Sequence, residues 1–235
     1  MGAIYSREVK SYFTTPIGYI FLAVFFAVSG FLFSYSTINQ AASSSVGSYF
    51  SFMLFILAIM LPILTMKLFS DDRRTKTEQL LLTSPVSLAG MVLAKYFAAL
   101  TIYAGALAVS SLYFPILSFF GNVPTSLIIG NMFALFFIGA AFIAVGAFMS
   151  SLTESQLIAS ISTMLVIILL ILASIATENI PNAFIRTLIN WFSVVSRMSA
   201  FSAGQINLGS LIYFISFSFM FLFLTARVYE KSRWS

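Results

Sequence analysis

The sequence contains no cysteine and no histidine, and only 8% of its 235 residues are charged. The absence of cysteine excludes disulfides and thiolate chemistry, and the absence of histidine removes the commonest metal ligand and proton relay at neutral pH. Ordinary soluble domains carry about 25% charged residues. With 60% hydrophobic residues, the chain is predicted to be an all-α polytopic membrane protein.

Several chemical motifs are also missing. There is no G-x-x-x-x-G-K-[ST] sequence to bind ATP and no clustered Ser/His/Asp or paired-carboxylate arrangement for catalysis. The chain is therefore predicted not to be an enzyme and to hold no cofactor or metal. No charged residue falls in the middle of a predicted span and no filter-like loop is evident, which argues against an ion-coupled carrier or a channel.

Hydropathy predicts six membrane spans in a single transmembrane domain over residues 1–235. The proline at position 62, near the end of the second span, predicts a kink. A cytoplasmic loop is predicted over 70–86 and a pair of short outer re-entrant helices over 177–208, which is too polar to span and too apolar for a simple loop. The predicted spans are 17–35, 49–69, 87–120, 126–149, 156–176 and 209–226.

The first 16 residues have the pattern of an amphipathic helix that lies in the membrane interface. One face carries Tyr5, Val9, Tyr12 and Phe13, and the opposite face carries Ser6, Arg7, Lys10 and Thr14.

Two further patterns concern local structure. Small residues are concentrated near one end of the fourth span, at Gly139, Ala140, Ala144, Gly146 and Ala147, and they predict close helix packing. Thr153-x-x-Gln156 matches a capping box at the start of the fifth span.

The distribution of basic residues predicts the orientation. With both termini in the cytoplasm, only Arg186 and Arg197 lie outside, in agreement with the positive-inside rule. The net charge of +5 is grouped beside apolar spans, so it indicates a lipid bilayer rather than nucleic acid as the partner. The residues predicted to lie inside are Arg7, Lys10, Lys67, Arg73, Arg74, Lys76, Lys95, Arg227, Lys231 and Arg233.

One dense island of charge, from Lys67 to Met91, separates the second and third spans. Thr75-x-x-Glu78 before a run of leucines fits a capping box, and Pro85 would end the helix that the box begins. The pattern alone leaves two alternatives open. The island is a short structured helix projecting from the membrane, or it is an ordinary charged loop that fixes orientation.

The run L-P-I-L-T-M-K-L-F-S-D-D-R-R-T-K-T-E-Q-L-L-L-T-S-P-V-S-L-A-G-M-V-L-A-K (61–95) resembles the permease subunits of ABC transporters of the type-2 export family. The opening P-I-G-Y-I-F-L-A-V-F (16–25) and the ending L-I-Y-F-I-S-F-S-F-M-F-L-F-L-T-A-R-V (211–228) resemble the same group. Within it, the chain looks most like the gliding-motility-associated permease subunit. The wider family often has glycine where this chain has Lys76.

The resemblance implies a bacterial inner-membrane permease that pairs with a second permease subunit, the same chain or a paralogue, and with cytoplasmic ABC ATPase subunits. ATP and Mg would be bound by the ATPase. The helix between spans two and three would be the coupling helix that docks on the ATPase, which favours the structured alternative for the island. The helix would be Thr75 to Thr83, with Asp71 to Arg74 as its charged approach. The residues implied in ATPase coupling would be Asp71, Asp72, Arg73, Arg74, Thr75, Lys76, Thr77, Glu78, Gln79, Leu80, Leu81, Leu82, Thr83 and Pro85.

Two functions are consistent with this resemblance. The first is substrate export coupled to ATP hydrolysis by the separate ATPase. The second is a permease-like membrane anchor that transmits ATPase motion to a membrane subunit with a large extracytoplasmic domain, without transporting a solute.

Overall fold

A computed structural model describes residues 1–35, 45–76, 87–117, 125–176, 193–194, 197–198, 201 and 207–234. Within these ranges the chain is all helical, as predicted. Its principal helices are α1 (Gly2–Thr14), α2 (Pro16–Phe33), α3 (Ser45–Thr65), α4 (Lys67–Arg74), α5 (Leu88–Ser110), α6 (Tyr113–Leu117), α7 (Thr125–Leu152), α8 (Gln156–Ala176) and α9 (Leu208–Trp234).

Among the described residues, six helical stretches are long and apolar enough to cross a membrane, as expected of a multi-pass membrane protein. One of them combines α3 with α4, and another extends from α5 into α6. The stretches are Pro16–Phe33, Gly47–Arg74, Leu88–Pro115, Thr125–Leu152, Gln156–Ile175 and Leu208–Lys231. The second continues to Arg74, so helix extends into the segment predicted as the loop 70–86.

The junction between α3 and α4 follows Pro62, at which a kink was predicted. Proline has no N–H to donate to the carbonyl one turn earlier. Helix α3 continues for three residues beyond Pro62, to Thr65, and α4 begins at Lys67 after the single residue Met66. The charged segment therefore follows an interruption of the second long helix.

Helix α7 lies at the centre of the bundle and packs against α3, α4, α5, α8 and α9. Its small residues allow this close packing, as the sequence predicted. A Cβ at Gly139 would lie 2.2 Å from the ring of Tyr103, and one at Gly146 would lie 2.1 Å from the hydroxyl of Thr65. Tyr103 also donates a hydrogen bond to the Leu135 carbonyl (2.7 Å), which fastens α5 to α7.

The end of the bundle farther from the charged island is held together by aromatic rings. Phe33, Tyr49, Phe50 and Phe114 come from α2, α3 and α6, and all four side chains are buried. The ring centroids of Phe50 and Phe114 are 5.4 Å apart, and those of Tyr49 and Phe50 are 5.2 Å apart. Such pairs contribute packing and weak quadrupolar attraction.

Helix α1 packs against α2 and α5. Tyr12 is buried, whereas Phe13, placed on the same predicted face, is 46% exposed. The face that turns inward is centred on Glu8 and Tyr12, which are one helical turn apart and are both buried. Since the apolar face was predicted to meet the membrane interface rather than the bundle, the exposure of Phe13 leaves that prediction untested.

A sharp turn joins α1 to α2. Thr15 is extended (φ −108°, ψ 152°) and Pro16 occupies the start of α2. The two helices then approach so closely that a Cβ at Gly18 would lie 2.2 Å from the carbonyl oxygen of Tyr12. This oxygen belongs to the backbone and cannot move aside by a change of rotamer.

The predicted coupling helix and outer re-entrant segment are largely outside the described residues. Residues 77–86 are not described, and in 177–208 the description is limited to a few positions. Val194, Met198 and Phe201 among these are buried. The predictions for both segments stay predictions, as does the membrane-interface position of α1.

We expect Gly18→Ala to lower the thermal stability of the detergent-solubilised protein, because the added methyl group overlaps a fixed carbonyl. Overpacking of this kind costs about 1–3 kcal/mol. Gly105→Ala is the matched control, since a Cβ there meets nothing within 4 Å. Equal melting temperatures for the two variants would show that the α1–α2 turn is not closely packed.

Candidate coupling site at the charged end of the bundle

The charged end of the bundle is the end at which α1, α4, the start of α5, the end of α7, the start of α8 and the end of α9 meet. Helix α4 lies among these elements and contacts α3, α5, α7 and α8. Its first four residues, Lys67 to Ser70, are buried. The segment that precedes Asp71 is thus packed into the bundle, whereas Asp71, Asp72 and Arg73 are half-buried and Arg74 is exposed.

The side chains from Asp71 to Arg74 bind different neighbours. Asp71 accepts a hydrogen bond from Gln156 of α8 (2.9 Å), and Asp72 pairs with Lys95 of α5. The guanidinium of Arg73 lies 5.8 Å from the ring centroid of Tyr229 in α9. Successive helical residues point about 100° apart, so one turn of helix α4 connects to three other helices.

Lys95 is the most buried charge at this site, with its side chain 2% exposed. Its ammonium nitrogen lies 2.7 Å from Asp72 Oδ2 and 3.2 Å from Glu8 Oε1, and it donates to the Leu68 carbonyl at 2.5 Å. An ammonium group has three N–H donors. It forms hydrogen bonds with Glu8 of α1 and the Leu68 carbonyl of α4, and an ion pair with Asp72 of α4.

Arg7 completes the charge balance of this cluster. Its guanidinium pairs with Glu8 Oε1 at 2.8 Å and is half exposed. With Arg7, the two carboxylates of Glu8 and Asp72 face two cations. Such balance matters because an uncompensated buried charge is strongly unfavourable.

Lys67, the first residue of α4, is buried among neutral oxygens. Its Nζ donates to Ser11 Oγ (2.7 Å), Thr15 Oγ1 (3.0 Å) and the Ser11 carbonyl (3.4 Å), and it lies 5.1 Å from the centroid of Tyr12. These partners belong to α1 and the turn after it. The start of α4 is thereby fastened to the end of α1.

Tyr12 fastens the same region to α3. Its hydroxyl donates to the Leu64 carbonyl at 3.0 Å. Burial, and secondarily the negative charge of Glu8, raise the pKa of the Tyr12 hydroxyl well above its ordinary value. The hydroxyl is therefore a permanent donor at physiological pH.

Ser150 of α7 forms hydrogen bonds with the backbone near the junction between α3 and α4. Its Oγ accepts hydrogen bonds from the N–H groups of Phe69 and Ser70, both at 3.0 Å, and donates to the Met66 carbonyl at 3.0 Å. One donor and two acceptor sites are the full capacity of a hydroxyl. Ser150, which lies in α7, thus provides an acceptor for two backbone N–H groups near the start of α4.

The start of α8 differs from the predicted capping box. Ser155, immediately before α8, accepts a long hydrogen bond of 3.5 Å from the N–H of Ile158, while Thr153 accepts one from the N–H of Ser155. The cap is therefore two residues later than predicted. The Gln156 side chain, which the box would have used, binds Asp71 instead.

Helix α4 ends at Thr75 and Lys76. The Thr75 hydroxyl donates to the Asp71 carbonyl at 2.7 Å. Lys76 has a φ of 57°, the left-handed conformation that favours glycine after a helix end. Arg74, Thr75 and Lys76 are exposed.

The structure describes six of the predicted coupling residues, Asp71 to Lys76. The others lie outside the described residues, so the predicted box between Thr75 and Glu78 stays untested. They are Thr77, Glu78, Gln79, Leu80, Leu81, Leu82, Thr83 and Pro85.

The sequence did not predict that Glu8, Ser150 and Gln156 belong to this site. It predicted only a contribution to orientation for Lys95. Lys95 carried a usable signal. It lies seven residues into a long apolar helix, about 10 Å along its axis, where a lysine requires acidic partners. Ser150 carried none, since serines are common in such helices.

The polar side chains of the charged end join several helices to one another. Among the described residues there is no group of three or more potential metal ligands. The polar side chains described above bind one another or the backbone, which joins helices together.

Comparison with known proteins gives no family assignment: no protein-family model matches the chain, and no curated protein matches it significantly. The function is therefore inferred from the site.

We expect Ser150→Ala to destabilise the protein, because it leaves the N–H groups of Phe69 and Ser70 without their acceptor. Buried unsatisfied groups cost about 1–3 kcal/mol. The measurements are thermal unfolding in detergent and amide exchange at residues 69 and 70, which should become faster.

Ser151→Ala is the matched control for Ser150→Ala. Ser151 is equally buried, but its hydroxyl donates only within α7, to the Phe148 carbonyl. If both variants exchanged and unfolded like the parent protein, Ser150 would have no role in joining α7 to α4.

Proposed function

We propose that this chain is the membrane-spanning subunit of an ATP-driven exporter of the ABC type-2 class. Segment 71–86 receives motion from a separate cytoplasmic ATPase and passes it to the membrane helices. The observation that carries the proposal is the attachment of α4 to its neighbours. The side chains of Asp71, Asp72 and Arg73 contact α8, α5 and α9.

A loop that only fixed orientation would need charge but no such contacts. Positive-inside sorting depends on the number of basic residues near the membrane, not on their hydrogen bonds. Here the carboxylates of α4 are bonded into the bundle, while Arg74, Thr75 and Lys76 are exposed at its end. This division suits a segment that is held on one side and touched by a partner on the other.

The energy source follows from the composition. The sequence has no P-loop, so ATP and Mg would be bound by the partner ATPase. With ten of its twelve basic residues placed inside, the chain would lie in a bacterial inner membrane with both termini cytoplasmic. A second permease subunit would complete the transporter.

The first test concerns the leucines of the predicted coupling helix. We expect the double variant Leu81→Asp, Leu82→Asp to lose the co-purifying ATPase, because two carboxylates cannot enter an apolar groove without a large desolvation cost. The measurement is a mass-spectrometric list of subunits bound to the tagged chain, together with ATP turnover by the preparation.

Lys10→Asp is the matched control, since it introduces negative charge at an exposed position of the same end. If ATPase association and turnover both survived in the double variant, 71–86 would not be the coupling segment. A bound membrane subunit with a large extracytoplasmic domain, and no transport, would instead identify the anchor function.

The second test concerns orientation. Because the chain has no cysteine, single cysteines report accessibility without background. In intact cells we expect Lys10→Cys and Lys231→Cys to resist a membrane-impermeant maleimide and Asn122→Cys to react. In inside-out vesicles the pattern should be reversed. The opposite pattern in either preparation would place the charged end outside and exclude contact with a cytoplasmic ATPase.

A further inference from the structure

We propose that Lys95 is a positioning residue whose ionic bridge makes the N-terminal helix α1 move together with α4. The bridge consists of Glu8, Lys95 and Asp72. This inference rests on the proposed function for its physiological meaning, since the ATPase would supply the motion. The bridge itself is a property of this chain and can be tested without a partner.

Helix α1 is separated from α4 along the chain by the two long helices α2 and α3. Displacement of α4 therefore reaches α1 through non-covalent contacts. The described polar contacts that join them are Lys67 with Ser11 and Thr15, and Lys95 with Glu8 on one side and Asp72 on the other.

The two contacts with α1 lie at different positions along α4. Lys67 is the first residue of α4, and Asp72 lies five residues later, about 7 Å along the helix axis. Lys67 alone would fix only the first residue of α4 relative to α1. The Lys95 bridge is a second contact, displaced along α4, and two contacts fix its direction relative to α1.

The contacts between Lys95, Glu8 and Asp72 are ionic rather than apolar. Replacing a buried ion pair by apolar groups is often neutral or stabilising, so stability alone does not explain three charges here. Hydrogen-bonded charges differ from apolar contacts in being directional. The Lys95 ammonium donates hydrogen bonds to Glu8 and the Leu68 carbonyl and forms an ion pair with Asp72, whereas apolar side chains would allow α4 to slide.

The consequence is a single rigid body made of α1 and α4. Motion delivered to 71–86 would then displace α1, whose exposed face includes Arg7 and Lys10. Helix α1 would in this way relay motion to the turn at Thr15–Gly18 and the first long helix.

The test uses the triple variant Glu8→Gln, Lys95→Met, Asp72→Asn, which removes all three charges together. Lys95→Met alone strands two buried carboxylates and is expected to fold poorly. The triple variant avoids this problem, and we expect its melting temperature to stay close to that of the parent. Spin labels on Lys10→Cys and Lys76→Cys report the distance between α1 and the end of α4.

In the parent protein in nanodiscs we expect a narrow distance distribution, unchanged in the complex when an ATP analogue binds. In the triple variant the distribution should broaden by about 5 Å, the rise of one helical turn. The matched control is Arg227→Gln, Glu230→Gln, which removes an exposed ion pair at the same end and should leave the distribution narrow.

A triple variant that is folded and keeps the narrow distribution would overturn the bridge. Broadening in the control as well would also overturn it, because the effect would then follow from charge loss in general. Failure of the exporter proposal is distinguishable, since it appears as absence of a co-purifying ATPase. The comparison of isolated chains in nanodiscs still tests the bridge in that case.

Discussion

The burial of the Lys95 ammonium is the constraint around which the charged end is built. A lysine at the centre of a membrane helix costs about 2.5–3.5 kcal/mol on insertion scales, and an unpaired charge inside protein costs more. Lys95 is only about 10 Å into its helix, but its side chain is 2% exposed and cannot reach water. Acidic groups must therefore be brought to it, and α1 and α4 each supply one.

That requirement explains why the polar residues of α4 are distributed as they are. Asp72 faces Lys95, and the helical rotation then directs Asp71 towards α8 and Arg73 towards α9. Helix α4 can begin in this position because the second long helix is interrupted after Pro62, and because Ser150 satisfies the backbone that the interruption exposes. The small residues of α7, such as Gly146 beside Thr65, allow α7 to approach the end of α3 closely.

The sequence predicted the parts of this arrangement that depend on neighbouring residues. Hydropathy predicted six long helices, and the glycines and alanines of the fourth span predicted a packed helix. The bridge was missed because Glu8 and Lys95 are 87 positions apart and no periodicity links them. The chain has only seven acidic residues, so asking which of them neutralises Lys95 would have left a short list that includes Glu8 and Asp72.

The two ends of the bundle are held by interactions of different character, and under the proposed function this difference would favour motion that enters at the charged end. Aromatic rings at the opposite end, such as Phe50 and Phe114, attract one another over a range of geometries. Hydrogen-bonded charges permit far fewer arrangements. Under the proposed function, a displacement applied to α4 would be transmitted by directional bonds near its source and absorbed by adaptable packing far from it. A bundle with the two kinds of contact exchanged would yield at the point of contact and transmit little.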